Sequence, residues 1–407
     1  MTSPLPPDAP CDVAVAGGAL AGAAIARALA GERVALISQD RRPDAAPAGF
    51  DARVYAISPG NAAFLARLGA WGAIPEQHLT PVRAMRVYGD DGRSMIEFDA
   101  YRSGASELAW IVEDRRLQDA LWRGLEAQQG VALLAGTSIR ELAVGEREVR
   151  LALHDGRSLR ARLVVGADGA HSFVRAQAGI ASEASGYGQS AVVANFACTR
   201  PHRHVAWQWF QGSGGGSPAA SGGAGRGAVL ALLPLPGDHV SMVWSTGDAQ
   251  AERLLGLDGD RLAREVAAAA QGAVGELSLV TPARAFPLQR LRAARLVAPR
   301  VALAGDAAHV IHPLAGQGAN LGLQDARLLA GVLAARAPGR DPGELGLLRR
   351  YERSRAEAIL EMRATVHGLH SLFGHPAPAV ARLRNAGLNL AERLPVLKNL
   401  LIRHAMG

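Results

Sequence analysis

Cysteine is scarce in this chain of 407 residues: there are two, Cys11 and Cys198. That is too few for a disulfide framework, and no Cys/His pair has zinc-ligand spacing, so no metal site is expected and a reducing compartment suits the chain. Long hydrophobic runs are missing too. Nowhere do about eighteen apolar residues stand together without a charge, which excludes a spanning helix from the sequence reading. Met1 to Pro10 is proline-rich and has no basic start before an apolar run, so it does not read as a secretion signal, and a cytoplasmic location is expected. Aromatic residues make up only 5% and charged residues 20%. The arginines that give a net charge of +7 are scattered and not interleaved with aromatics. That pattern argues against a nucleic-acid platform.

What the chain has is apolar mass, with 49% hydrophobic residues, enough for one large core or two joined ones. Asp12 to Ala16 reads as a short buried strand, Gly17 to Gly22 as a break, Ala23 to Ala30 as a helix and Arg33 to Ile37 as a second strand. This is a βαβ opening with a parallel sheet. From Ala191 to Ser245 the texture changes to antiparallel strands with large side chains, including Val205 to Phe210. Arg300 to Ala304 returns to the parallel pattern, and Leu321 to Ala335 is a long apolar helix. Gly212 to Gly227 has little side-chain mass to repay its ordering entropy. It reads as a mobile hairpin loop, a tolerated insertion before an active-site lid.

Three strand ends carry chemistry. The turn Gly17-Gly18-Ala19-Leu20-Ala21-Gly22 would let backbone N–H groups approach a pyrophosphate at the positive end of a helix. It departs from G-x-G-x-x-G at Ala19, whose methyl would crowd the phosphate. At the end of the next strand Ser38 stands where an acidic residue usually meets a ribose; either Ser38 or Asp40 could do so. The second stretch is Gly166 to Arg175, in which Asp168 could meet dinucleotide hydroxyls and Arg175 phosphate. In the third, Gly305-Asp306 ends a strand where ligands of open α/β sheets bind, so Asp306 could accept hydrogen bonds from a polyol. Gly316 and Gly318 permit close approach to a flat ring, with a helix beginning near Asn320 aimed at it. His309 and His312 read as hydrogen-bonded loop residues before they read as ligands.

Three such sites in this order, with an inserted β-rich segment, resemble the class A flavoprotein monooxygenases of the para-hydroxybenzoate hydroxylase fold. Within them the chain is similar to the ubiquinone-biosynthesis hydroxylase family, most specifically from Gly305 to Asp325 and also in Asp51 to Ser58, Trp207 to Phe210, Leu232 to Pro236 and Ala405 to Gly407. The resemblance implies an α/β fold, a Rossmann-like FAD-binding domain with an inserted, mainly antiparallel β-sheet substrate domain and a C-terminal helical tail. The expected boundaries are 1–80, 106–185 and 281–370 for FAD binding, 81–105 and 186–280 for substrate, and 371–407 for the tail.

It further implies that Gly17, Gly18 and Gly22 line the pyrophosphate and that Arg53 reaches the flavin or its phosphates. Asp168 would serve both FAD and NAD(P)H, and Gly305 and Asp306 would hold the ribityl chain. Gly316, Gln317, Gly318 and Asn320 would face the isoalloxazine. Val112 to Arg115 would touch FAD, with Arg115 the candidate and the contacting side chain left open. The implied reaction is hydroxylation of a polyprenylated phenol through a flavin C4a-hydroperoxide formed with O2, NAD(P)H being the expected donor and no protein-borne acid/base pair being required. Trp207, Trp209 and Pro313 are candidates for the substrate wall, with core packing the competing reading for the tryptophans. The basic tail beyond Pro376 reads as a helix packed on the body or, more sharply, as a contact with the membrane surface or a quinone-biosynthesis enzyme. Competing functions are a hydroxylase of a soluble aromatic, a flavin dehydrogenase, and an assembly protein with a degraded flavin site.

Overall fold

The computed structural model describes residues 10–42, 49–91, 94–211, 227–311 and 317–356. Pro313, Gly316, His312, the glycine-rich stretch 212–226 and the tail 371–407 therefore lie outside the described residues, as does the side chain of Gln317.

The opening βαβ unit forms as its pattern predicts. Cys11–Ala16 and Val34–Ser38 pair in parallel, with helix α1 (Leu20–Ala28) crossing between them. Runs of small and β-branched residues suit strands buried on both faces. The sheet continues in the order Val297–Ala298, Val301–Leu303, Ser158–Gly166, Cys11–Ala16, Val34–Ser38, Val131–Ala135. A hairpin of Ile139–Val144 and Val149–Leu153 is added antiparallel to the first half of Ser158–Gly166. Further helices follow in chain order: α2 (Pro59–Arg67), α3 (Asp114–Glu126), α4 (Phe173–Gln177), α5 (Asp248–Leu255), α6 (Gly259–Ala269) and α7 (Gln317–Ala334). One continuous core joins this sheet to α1, α3 and α7, with Ile25, Leu36, Leu121 and Leu323 fully buried. Each such side chain contributes about 1.5–3 kcal/mol by leaving water.

The second sheet has nine strands. Its main order is His309–Val310, Arg284–Ala293, Ser182–Cys198, His239–Gly247, Ala228–Leu235, Val205–Gln211, Ala84–Tyr88, Met95–Asp99. One face is covered by α5 and α6, and alternate strand residues fill that side: Val205, Trp207 and Trp209, Leu230 and Leu232, Met242 and Trp244. The opposite face meets the first unit across a small three-stranded sheet of Val54–Ile57, Ala109–Glu113 and Thr80–Val82. There Ala206, Leu233 and Leu235 pack with Phe50, Val54, Ala56 and Ile111. Asn195 Nδ2 also donates to the Asp51 carbonyl at 2.7 Å, tying the big sheet to the segment that carries Arg53.

Both cysteines are buried free thiols, and burial pushes Cys11 up to about 12, leaving it a packing residue. Among the described residues no helix is long and apolar enough to cross a membrane.

Candidate functional site

The three glycines of the first turn are fixed by contacts inside the protein. Gly17 has φ +107°, and a Cβ there would lie 2.1 Å from the Ala167 carbonyl oxygen. A Cβ on Gly22 would lie 1.9 Å from the Gly17 oxygen, and one on Gly18 2.6 Å from Ser38 Oγ. The carbonyl of Gly18 accepts a hydrogen bond from Trp122 Nε1 at 2.9 Å, so α3 helps to fix the turn. Ala19 stands at the N-cap of α1 with φ −74° and an exposed side chain; its backbone needs no glycine. No side chain caps this helix, so the free N–H groups that every helix start carries are left for an anionic ligand. Ser38 is buried against Gly18, while Gln39 and Asp40 are exposed.

At the second strand end, Asp168 lies beside Gly17 and is engaged by its own loop. Its carboxylate accepts from Ser172 Oγ at 2.5 Å and from the Val174 N–H at 3.1 Å. The expectation of a phosphate partner at Arg175 is corrected. That guanidinium is buried and donates to the Ala307 carbonyl at 2.9 Å and the Ala170 carbonyl at 2.7 Å. It braces the Asp168 loop against the Asp306 turn.

The third strand end is held from below by a buried ionic cluster that sequence reasoning missed. Asp325, fully buried on α7, accepts from the Gly305 N–H at 2.7 Å, from His309 Nε2 at 2.8 Å and from Arg355 Nε at 2.5 Å. Burial acts to raise its carboxyl, but His309 and Arg355 outweigh that and hold it below the usual carboxylate range. A lone acid in an otherwise apolar helix was the available signal, since such a residue must find partners. Gly305 also packs closely on α1: a Cβ there would lie 3.1 Å from Ala21 Cβ, and one on Gly322 3.2 Å from the same methyl.

Above this support Asp306 is exposed, and no described side chain hydrogen-bonds to it. Its carboxyl is nonetheless raised above the usual range, first by loss of water among the surrounding walls, against the pull of His309 and Arg53. Exposed area and desolvation agree if the group projects into a recess rather than into open solvent. Arg53 lies across from it, its guanidinium 5.4 Å from the Tyr55 ring centre, 5.9 Å from that of Phe286 and 4.0 Å from Asp114. Asp51 braces the same corner, accepting from the N–H groups of Arg53 and Arg115, each at 3.3 Å. The side chain of Arg115 points outward.

Two expectations change on the far side of the recess. Asn320 does not offer its side chain to a ring. Buried to 2% exposure, it accepts from the Ser58 N–H at 3.0 Å and Asn61 Nδ2 at 2.8 Å and donates to the Ala56 carbonyl at 2.7 Å. Its amide latches α7 to the strand beyond Arg53 and to α2. Gly318 faces open space, with nothing within 4 Å of a Cβ. Trp207 and Trp209 are likewise removed from the substrate wall, because they belong to the face buried under α5 and α6. The opposite face carries their neighbours Ala206, Gln208 and Phe210, as the two-residue period of a strand requires; Ala206 packs against Val82 and Ile111, and Phe210 against Val87 and Ile96.

The geometry thus defines an α/β nucleotide-binding enzyme: a glycine turn and bare helix start at one end, and a ribityl-suited carboxylate facing an arginine at the other. A Cβ-free cradle and an unpartnered carboxylate fit FAD. Comparison with known proteins agrees. The family model described as the FAD binding domain matches residues 10–364, and the chain belongs to that family. It is 35% identical to the 3-demethoxyubiquinol 3-hydroxylase of Escherichia coli, over 98% of this chain and 99% of that protein. It is also 35% identical to the ubiquinone hydroxylase UbiL of Rhodospirillum rubrum, over 98% of this chain and 90% of its relative. Among solved structures, PqsL, a probable FAD-dependent monooxygenase from Pseudomonas aeruginosa, superposes with a TM-score of 0.75 at 25% identity, covering 93% of this chain and 99% of its own. The protein is an FAD-dependent monooxygenase, and the resemblance drawn from Gly305 to Asp325 holds.

Proposed function

We propose that the chain hydroxylates the ring of a polyprenylated phenol in ubiquinone biosynthesis, with NAD(P)H as electron donor. The observation that carries the reading is Asp306, a strand-end carboxylate with no hydrogen-bond partner among the described residues and with Arg53 as a charged neighbour. The names of the full-length relatives support the substrate class.

In this reading the start of α1 receives the pyrophosphate on free N–H groups, with Gly17, Gly18 and Gly22 keeping side chains out of the way. Ser38 lies toward the adenosine ribose. Asp306 accepts hydrogen bonds from the ribityl hydroxyls, and Arg53 approaches the flavin from the opposite wall. Helix α7 turns its positive end toward the ring system, where negative charge gathers on reduction. Bound FAD supplies the redox chemistry and the activation of O2. The protein orients the ring and excludes water; Leu233, Val243 and Ala231, only partly exposed, form the apolar wall opposite. A prenylated substrate resides in a bilayer, and the basic residues beyond Pro376 suit docking at its surface or on a neighbouring enzyme.

Purified protein supplied with FAD, NAD(P)H, 18O2 and a short-chain prenylated phenol is expected to place one labelled oxygen on the ring. Donor oxidation without label in any product, or failure to hold FAD after supplementation, would overturn the reading.

A further inference from the structure

The face that the tryptophans leave free carries Gln208, whose side chain has no hydrogen-bond partner among the described residues. Seven Asn and Gln residues are buried among the described residues: Asn61, Gln128, Gln189, Asn195, Gln208, Gln250 and Asn320. Six of them engage a neighbour, from the Asn320 latch to the Asn195 bond with Asp51. Gln208, at 7% exposure, does not hydrogen-bond to any described residue. No polar atom of Gln208 is both sealed from solvent and unpartnered, so its small exposure lies at the amide, which is free to meet a ligand at this face.

Register shows what lies around it. Gln208 pairs with Val87 on one side and Ala231 on the other; Ala231 pairs with Val243, and Val243 with Val193. Directly paired residues share a face, so Gln208 heads an apolar row. Ala231 and Val243 are partly exposed and carry small apolar side chains, so the surface beside Gln208 is low and apolar. The row reaches a cation only at Arg284, opposite Val193 and four strands from Gln208, about 19 Å away. The anchor is therefore neutral. A primary amide offers both donor and acceptor, matching a phenolic hydroxyl, which is also both.

We infer that Gln208 is a specificity-determining residue: its amide takes the ring hydroxyl of the substrate, whose ring lies over Ala231 and Val243. The inference rests on the ring-hydroxylase reading above. The test uses FAD-loaded wild type and Gln208→Leu, each titrated with 2-prenylphenol and with its methyl ether, and followed by the change in flavin fluorescence. Wild type is expected to bind the phenol at least tenfold more tightly than the ether. Gln208→Leu should lose that preference, binding both alike, with its flavin content unchanged. If Gln208→Leu does not fold, Gln208→Met, which keeps the side-chain length, is put to the same comparison.

A leucine or methionine variant that keeps the phenol preference overturns the inference, because a merely structural glutamine would leave the ratio intact. Equal binding of the two probes by wild type overturns the anchor alone. Wild type that binds neither probe removes the ring-hydroxylase reading, and the anchor with it.

Discussion

Replacing Asp306 separates a residue kept for a ligand from one kept for the fold. In the free protein its carboxyl is raised above the ordinary range, chiefly by lost hydration, so the folded state binds a proton more readily than the unfolded one. With more protons bound in the native state, stability falls as pH rises from the ordinary carboxylate value through the raised one. Asp306→Asn should therefore leave the FAD-free protein as stable at low pH and more stable at neutral pH, flattening that decline. Binding should move the other way. Hydrogen bonds to a charged acceptor contribute about 1.5–3 kcal/mol, so loss of the charge should weaken FAD roughly ten- to hundredfold. Asp306→Ala, which also loses the acceptor, should sit at the weaker end. Thermal melts of the FAD-free protein at pH 5 and pH 8, with FAD titrations followed by fluorescence quenching, measure both arms. A variant that holds FAD as tightly as the parent would refute the ribityl assignment.

Breaking the cluster beneath should do the reverse. Asp325→Asn leaves His309 and Arg355 facing a neutral group and should cost about 3–5 kcal/mol in urea unfolding. Because the folded Asp325 carboxyl is held low, its contribution is present above the ordinary carboxylate value and lost as pH falls through the folded one, which a pH series of melts checks. Gly22→Ala, whose Cβ would lie 1.9 Å from the Gly17 oxygen, should yield little soluble protein, whereas Gly318→Ala should stabilise α7 by about 1 kcal/mol. If Gly318→Ala also weakens FAD in a titration, the start of α7 lies against the ring. Trp209→Ala should cost about 3–5 kcal/mol by opening a cavity while leaving phenol binding near the parental value, measured by unfolding and by titration.

The elements at the cofactor end were legible because their signals are local. A run such as Val13 to Ala16 followed by Gly17 fixes strand, turn and helix within a few residues, and the structure places these elements within two or three residues of expectation. What stayed hidden depends on partners far along the chain. The Asn320 amide could be assigned to a ring only while Ser58 and Asn61, some 260 positions earlier, were not known to claim it. Arg175 looked free for phosphate until the Ala307 carbonyl appeared beside it. The tryptophans show a different gap. Alternation along Val205 to Phe210 separates two faces, but nothing within the strand says which meets α5 and α6 and which meets the recess. The large aromatics went to the side with matching apolar helices.

The methyl group of Ala21 has a role that no single motif reveals. It sits between Gly305 and Gly322, so α1, the glycine-aspartate turn and α7 meet at one small side chain. In the reading proposed above, the pyrophosphate end and the ribityl end of the cofactor site belong to segments nearly three hundred residues apart, and this contact sets their separation. On that reading Ala21 acts as a spacer that sets how far apart the two ends of the site stand. A larger residue would stretch the site rather than empty it, and FAD could then engage one end only at the expense of the other.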